Sequence, residues 1–455
     1  MQAVELLAEL APAPAAATKP IATVDASDAK HTNAFAAGGK AQLVSLVARN
    51  AVKLSTADGS TAAADLLQVQ NVDGREQYVL SGEPAATVTQ GKTVISGPKI
   101  RFAPQEQIAE VIGVGGMKGT LPDDPTESFD ITWGGGAVVN GATNLIDVTK
   151  QIVIRSIQED GTINTATSGK LQAKLQAKPT TAPTSPPTTA TASTKPSQAD
   201  KMNFLAGKEV TAATLTADQG KKVEIKSELF APDGSLLRGL NVFATVVTTN
   251  RATGRLEIPV PGEMLLRDHR PPEEKKPGAV DAVGGAAAKE GPTLGSGRGN
   301  TAFKWSESLI YDDAQRQAVM SGDVKVVHHP ITREGEPFNL WADTLIAELE
   351  ADPAAKAVRP QAAKAGDKQQ SAAKMRVKRV VAKGHVKVES ARLNVDGTEL
   401  SYDPVAQVLH ARGTQNTPIT IYDKEKGTTS TVGELEWNTA TDQFRVKDLA
   451  GKVQQ

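Results

Sequence analysis

Alternation of apolar and polar residues with a period of two is the dominant pattern along the chain. Within His385–Glu389, the apolar Val386 and Val388 alternate with charged or polar neighbours. The same spacing relates further apolar pairs: Leu393 and Val395, Leu400 and Tyr402, Ile419 and Ile421, Phe444 and Val446. This period is typical of β-strands with one buried face and one wet face. Asp-Gly pairs predict tight turns at 58–59, 73–74, 160–161, 233–234 and 396–397. The pattern predicts an all-β fold.

The first residues are the exception to this pattern. Ala3–Leu10 predicts a short helix that Pro12 and Pro14 would end. The segment has no basic region and carries acidic residues, so it is not a signal peptide as written. Two interpretations stay open: the true start lies upstream of Met1, or the protein is cytoplasmic. No stretch approaches the roughly 18–20 apolar residues that a transmembrane helix needs.

Internal repeats organise the predicted strands. Three segments align without a gap, and each has an aromatic strand end, a turn and a short strand that closes on glycine: Phe102–Gly113, Tyr311–Gly322 and Tyr402–Gly413. A second element recurs five times: Val52–Leu54, Ile152–Ile154, Val223–Ile225, Val324–Val326 and Val386–Val388. One such unit cannot bury its apolar face alone, so neighbouring units must stack. The repeats predict an elongated array.

These repeats resemble a known family. Val381–Ser390, Leu400–Asp403 and Val408–Gly413 resemble the OstA-like repeat of the LptA-like periplasmic bridge proteins for lipopolysaccharide transport. Leu309–Asp312 through Val324 repeats the motif, and Ile95–Gly115 is a weaker copy. The resemblance implies an elongated, V-shaped β-jellyroll (β-taco) repeat stack with disordered insertions. It also implies a location in the periplasm or cell envelope.

Composition and resemblance together predict eight segments. Three stretches have compositions that are not expected to pack, and they are predicted to be linkers. The predicted segments are an N-terminal helix and linker (1–40), divergent OstA-like repeats (41–177), a Thr/Pro-rich linker (178–201), a repeat (202–270), a Pro/Gly/charged linker (271–300), a repeat (301–352), an Ala/Lys/Gln-rich linker (353–375) and a last repeat (376–450).

The resemblance implies a non-catalytic protein that binds or conducts lipopolysaccharide or a similar acylated amphiphile along an apolar β-groove. It also implies end-to-end contact with other OstA-like proteins or with another copy. The residues predicted to line the groove are Val324, Val326, Leu345, Ala347, Val386, Val388, Leu400 and Tyr402. Alternation cannot distinguish an open groove from a filled core. The alternative is therefore a structural or adhesive β-solenoid scaffold with a closed core, in which partners dock on edge strands.

Composition narrows the remaining function classes. Lys and Arg total 51 and Asp and Glu total 52, so the formal net charge of −1 gives no overall field for nucleic acid. The absence of cysteine excludes disulfides, thiol nucleophiles and thiolate metal sites. Aromatic residues make up only 4% of the chain, which suits thin β-layers better than a compact enzyme core. We predict no cofactor and no metal.

Several residues could still carry chemistry, and a structural role is favoured for each. His328 and His329 are adjacent on a predicted strand and would point to opposite faces, so they would not chelate together. Gly113–Thr120 lacks the glycine-lysine order of a phosphate loop. The candidate acids are Asp123, Asp124, Glu127, Asp312 and Asp313, and the candidate sugar-stacking residues are Trp305, Trp341 and Trp437. A polysaccharide-active β-helical enzyme would need carboxylates that converge on one face, and no such set is in register.

Overall fold

The computed structural model describes residues 5–12, 41–55, 59–72, 75–120, 127–177, 208–270, 298–331, 337–351, 375–404, 406–414, 416–438 and 443–449. Over these residues the chain forms 27 strands and no helix. The predicted all-β fold is confirmed. The pairs of strands discussed below are all antiparallel.

The chain divides into two compact units, Met1–Lys221 and Lys222–Gln455. The strands of the first unit are β1 Glu5–Pro12, β2 Ala41–Ser55, β3 Thr61–Val72, β4 Arg75–Gln90, β5 Thr93–Ala103, β6 Ile108–Ile112, β7 Gly115–Thr120, β8 Ser128–Trp133, β9 Gly136–Asn140, β10 Leu145–Ile157, β11 Ile163–Ala177 and β12 Lys208–Thr216. The boundary between the units falls inside the predicted 202–270 segment.

The second unit contains the other fifteen strands. They are β13 Val223–Phe230, β14 Leu236–Ala244, β15 Val246–Asn250, β16 Arg255–Ile258, β17 Gly262–Asp268, β18 Gly299–Trp305, β19 Ser308–Asp312, β20 Gln317–Pro330, β21 Phe338–Ala351, β22 Met375–Ser390, β23 Leu393–Asp403, β24 Val408–Arg412, β25 Ile419–Asp423, β26 Thr428–Asn438 and β27 Gln443–Leu449.

A two-residue bulge interrupts four of the long strands, β2, β10, β20 and β22. The register shifts between Arg49 and Val52, between Thr149 and Ile152, between Ser321 and Val324, and between Lys383 and Val386. Positive φ angles occur at the interruptions, on Asn50, Ala51, Lys150, Gln151, Gly322, Asp323 and Gly384. Four of the five predicted copies of the second sequence element begin directly after such a bulge. The fifth begins β13 at Val223.

The bulges let each long strand pair in two separate ladders, one on each side of the interruption. In the second unit, ladder A runs β15-β16-β19-β20-β21-β22-β23-β24-β26-β27. Ladder B runs β13-β14-β17-β18-β20-β21-β22-β23-β25-β26. The four long strands β20 to β23, together with β26, therefore belong to both ladders.

The first unit follows the same plan. One of its ladders runs β1-β2-β3-β4-β5-β6-β9-β10-β11-β12. The other runs β2-β3-β4-β5-β7-β8-β10-β11. Short strands such as β7 and β9 belong to one ladder only, whereas the long strands β2 to β5 belong to both.

One type of four-residue turn joins strands six times. Its last residue has positive φ in every copy: Gln107, Asn144, Gly254, Arg316, Gln407 and Gly427. In five copies the residue before the turn accepts a backbone N–H through its side chain, at 2.9–3.2 Å: Asn140, Asn250, Asp312, Asp403 and Asp423. This Asx geometry is a standard way to stabilise a tight turn. The predicted repeat contained three of the six copies.

Two sequence predictions are wrong. The predicted helix at Ala3–Leu10 is instead strand β1, which pairs with Ala41–Arg49 of β2. Cross-strand pairing here overrides the helix propensity of the Leu, Ala and Glu residues. The turn predicted at Asp396-Gly397 lies inside β23, where Gly397 pairs with Val386. The turns at 160–161 and 233–234 are confirmed, with positive φ on Gly161 and Gly234.

The three predicted linkers lie outside the described residues except at their ends. β18 begins at Gly299 and β22 begins at Met375. Residues 299–300 of the predicted 271–300 segment and residue 375 of the predicted 353–375 segment therefore belong to strands.

Tryptophan rings pack over cross-strand glycines in both units. Trp133 pairs with Gly115 and Trp305 pairs with Gly262, and both rings are buried. A side chain at Gly262 would collide with the ring of Trp305. The indole N–H of Trp305 donates to the carbonyl of Val260 at 3.0 Å, which holds the ring in place.

We expect Gly262→Ala to lower the free energy of unfolding by about 2 kcal/mol, because overpacking a filled site forces its neighbours to shift. The matched control is Gly397→Ala, where the nearest atom to an added Cβ is a side-chain carbon of Ile419 at 3.5 Å. Urea unfolding of both variants measures the difference. Equal stability of the two variants would show that the ring does not need the glycine.

Candidate apolar binding site

The buried side chains of ladder A form two rows that cross successive strands. Residues directly paired across antiparallel strands lie on the same face. The Leu345 row consists of Ile258, Leu309, Met320, Leu345, Ala382, Leu400, Ala411, Leu435 and Val446. The Tyr402 row consists of Leu256, Tyr311, Ala318, Ala347, Val380, Tyr402, Leu409, Trp437 and Phe444. Neither row contains a charged residue.

Ladder B has a corresponding row. The Val326 row consists of Val242, Met264, Phe303, Val326, Leu340, Val388, Val395 and Ile421. Six of these residues are buried, and Met264 and Ile421 are half-buried. Both ladders of the second unit therefore carry an apolar face that crosses eight or more strands.

The structure brings the eight predicted groove residues into these two faces. Leu345 and Leu400 belong to the Leu345 row, and Ala347 and Tyr402 belong to the Tyr402 row. Val326 and Val388 belong to the Val326 row, while Val324 pairs with Ala342 and Val386 with Gly397 at the edge of the bulge. Seven of the eight are at most 5% exposed, and Ala347 is half-buried. The predicted groove residues are thus core residues in this conformation.

The rows become exposed at one end. In the Leu345 row, eight successive side chains from Ile258 to Leu435 are buried, but Val446 on β27 is 43% exposed. In the Tyr402 row, Trp437 is buried, whereas Phe444 is 39% exposed and stacks on the Trp437 ring at 5.3 Å between centroids. Among the described strands, β27 pairs only with β26. The apolar faces therefore end on a strand with accessible apolar side chains.

Sequence reasoning missed part of these rows. Ala382, Ala411 and Leu435 were not predicted as groove residues, although each lies directly opposite a predicted one or continues its row. Alternation was visible around Ala411, but the pairing of β24 with β23 and β26 was needed to place it in the row.

The outward face of ladder B carries charges that are paired. Lys325 and Lys387 flank Trp341 on neighbouring strands, with their amines 5.4 and 5.5 Å from its ring. Lys387 also contacts Glu389 at 2.6 Å. Both lysine amines are close enough to the Trp341 ring for cation–π contacts, so Trp341 binds cations on the outward face. Trp305 and Trp437 are buried, as expected for core tryptophans.

His328 and His329 do not form a metal pair. His328 is buried, its Nδ1 lies 2.8 Å from the Thr301 hydroxyl, and its ring stacks on Phe338. His329, the next residue of β20, is exposed. This confirms the prediction of opposite faces.

Burial lowers the pKa of His328 from its ordinary value of 6.5 to about 4, and the nearby His329 adds to this shift.

The other candidate residues have structural roles where the structure describes them. Asp312 accepts the backbone N–H of Gln315 at 3.0 Å, and Asp313 accepts the Tyr311 hydroxyl at 2.9 Å. Burial, aided by Asp313, raises the pKa of Tyr311 to about 12. Most of Gly113–Thr120 is itself a strand, because β7 covers Gly115–Thr120. Asp123 and Asp124 lie outside the described residues.

No group of three or more His, Cys, Asp or Glu residues that could hold a metal occurs within the described ranges. No helical segment of that part of the chain could span a membrane. No protein-family model matches the chain, and no curated protein matches its sequence.

We expect the stability of the protein to fall between pH 6.5 and pH 4. His328 is neutral when folded, because its folded pKa is about 4, but it takes up a proton below 6.5 when unfolded. The unfolded state therefore binds more protons in this window, and the loss amounts to roughly 3 kcal/mol for a shift of this size. Urea unfolding at a series of pH values measures the slope.

His328→Gln keeps a partner for Thr301 and removes the titrating ring, so the variant should lose most of this slope. His329→Gln changes the exposed neighbour, whose charge adds only the smaller part of the shift, and should retain most of the wild-type slope. If His328→Gln and the wild type lose stability in parallel, another group is responsible for the acid sensitivity.

Proposed function

We propose that the protein is a non-catalytic component of the cell envelope that binds or conducts lipopolysaccharide or a similar acylated amphiphile. In this proposal, ladders A and B of the second unit are the two arms of an OstA-like, V-shaped jellyroll. The acyl chains lie between the arms, against the Leu345, Tyr402 and Val326 rows. The observation that carries the proposal is the uninterrupted apolar Leu345 row, which extends from Ile258 to the exposed Val446.

The energy of chain burial favours such a role. Removing one CH₂ group from water contributes about 0.8 kcal/mol, so a dozen such groups contribute on the order of 10 kcal/mol before costs. The rows are closed in this conformation, so an acyl chain must replace contacts between side chains. Along the row, the small Ala382 and Ala411 alternate with the larger Leu345, Leu400 and Leu435. An acyl chain that packs at an alanine displaces fewer side-chain contacts than one that packs at a leucine. Many interchangeable apolar contacts suit a cargo that has to move along the stack.

The open end supports the same proposal. Phe444 and Val446 present the last members of two apolar rows on the terminal strand β27. A second copy, or another OstA-like protein, that adds a strand to β27 would extend both rows. End-to-end contact would thereby continue the apolar path from one molecule to the next.

A second candidate function is a structural or adhesive scaffold with a closed core. The observation that favours it is the near-complete burial of Val324, Val326 and Tyr402, none more than 2% exposed. A scaffold needs no cargo, and its partners would dock on edge strands such as β27. The two functions differ in whether lipid reaches Leu345.

We expect a photoreactive diazirine analogue of leucine at Leu345 to crosslink to bound lipopolysaccharide. The same analogue at Thr344, the adjacent residue of β21, is the control, because adjacent strand residues point to opposite faces. Crosslinked lipopolysaccharide is detected by the shift of the protein band on a gel. Replacing a core leucine by a leucine analogue avoids the unfolding that a charged substitution in the row would cause.

Strong labelling at position 345 with little at 344 supports acyl binding. A deacylated polysaccharide should not compete for it. Absence of labelling at 345, or equal labelling at both positions, would contradict the proposal and favour the closed scaffold.

A further inference from the structure

A shallow cavity of about 360 Å³ lies on the first unit, at the ends of β5, β7, β8 and β10. Its lining combines three cations, Lys92, Lys118 and Arg155, with one carboxylate, Asp130. Val94, Phe129 and Ile157 provide apolar surface beside them. The lining therefore carries a formal charge of +2, from three positive groups and one negative group.

Strand register explains why these side chains meet. Val94 pairs with Lys118, Lys118 with Asp130, and Asp130 with Arg155. The four residues form one row across four neighbouring strands, so they share a face of the ladder. Ser128 pairs with Ile157 two residues further along, which places this pair on the same face. Lys92 reaches the row from the turn before β5.

None of the three cations of the cavity has an ionic partner among the described residues. Two other cross-strand pairs of the same unit do form ion pairs: Arg101 contacts Glu110 at 2.9 Å and Lys170 contacts Asp147 at 3.8 Å. Asp130 lies directly opposite both Lys118 and Arg155, yet in the described chain it forms no ion pair with either. Lys92 forms none either. Within the part of the chain that the structure describes, these three cations around a concave surface are therefore available to an external anion.

We infer that this cavity binds a phosphate group, either free or on a lipid headgroup. Three ammonium and guanidinium groups supply several N–H donors for phosphate oxygens, and Arg155 can donate two in parallel. The Ser128 hydroxyl adds a neutral donor or acceptor at the rim. The apolar Val94, Phe129 and Ile157 can contact a carbon portion attached to the phosphate. Asp130 opposes the anion and limits its affinity.

The test uses the full-length protein and titrates inorganic phosphate by calorimetry at low ionic strength. Lys118→Gln and Arg155→Gln should each weaken binding about fivefold, the factor expected for one surface charge near contact. Asp130→Asn should strengthen binding by a similar factor, because it removes a like charge. Lys99→Gln removes an exposed lysine of β5 that does not line the cavity, and should leave binding unchanged.

A second arm identifies the source of the phosphate. Cosedimentation is measured with vesicles of phosphatidylcholine and phosphatidic acid in equal parts, and with phosphatidylcholine vesicles as the reference. If the protein binds the mixed vesicles, and Lys118→Gln and Arg155→Gln reduce this binding, the phosphate belongs to a lipid headgroup. If phosphate binds in the calorimeter but the vesicles do not bind, the ligand is free phosphate. If neither probe binds, or if the Lys118, Arg155 and Asp130 variants behave like wild type, the inference is overturned. This outcome leaves the crosslinking at Leu345 unaffected, because that site lies in the other unit.

Discussion

The two-residue bulge is the feature on which the rest of the structure depends. A continuous strand pairs in one ladder, and its alternating side chains keep one phase throughout. A bulge interrupts the register, so the segments on either side pair in different ladders. In the second unit this happens at Gly322-Asp323 and again at Gly384-His385. Because the bulges of β20 and β22 lie opposite the same segment of β21, two ladders with apolar faces arise from one run of sequence.

Apolar rows are the structural consequence of this arrangement. Each strand contributes only one or two side chains to a row, so no single segment of the sequence forms a site. The rows form only when β16, β19 and the strands after them pair in register. A site of this kind suits a flexible, apolar ligand with no fixed position, as the proposed function requires. The phosphate cavity inferred on the first unit has the same origin, since its charged row depends on the pairing of β5, β7, β8 and β10.

Much of the fold could be predicted from the sequence, because period-two alternation and Asx turns are local signals. The element that begins at Val324 and Val386 was visible as a repeat, and the structure shows why: it marks the restart of a strand after a bulge. The helix predicted at Ala3–Leu10 was wrong because pairing with β2 is a long-range contact that local propensity does not report. The predicted groove residues do share the apolar faces, but alternation could not reveal that they are buried. The row of Lys118, Asp130 and Arg155 was also not predicted, because its members are distant in sequence and meet only through register.

The proposed function requires ladders A and B to separate and admit acyl chains. The chain has no cysteine, so spin labels can be placed at two introduced cysteines without background. Arg379→Cys labels ladder A and His329→Cys labels ladder B, and both positions are exposed. Pulsed electron paramagnetic resonance should show a longer distance between the two labels when lipopolysaccharide is added. The control pair, Arg379→Cys and Arg412→Cys, lies within ladder A, and the distance between its labels should not change. An unchanged distance between Arg379→Cys and His329→Cys at saturating lipopolysaccharide would contradict the account.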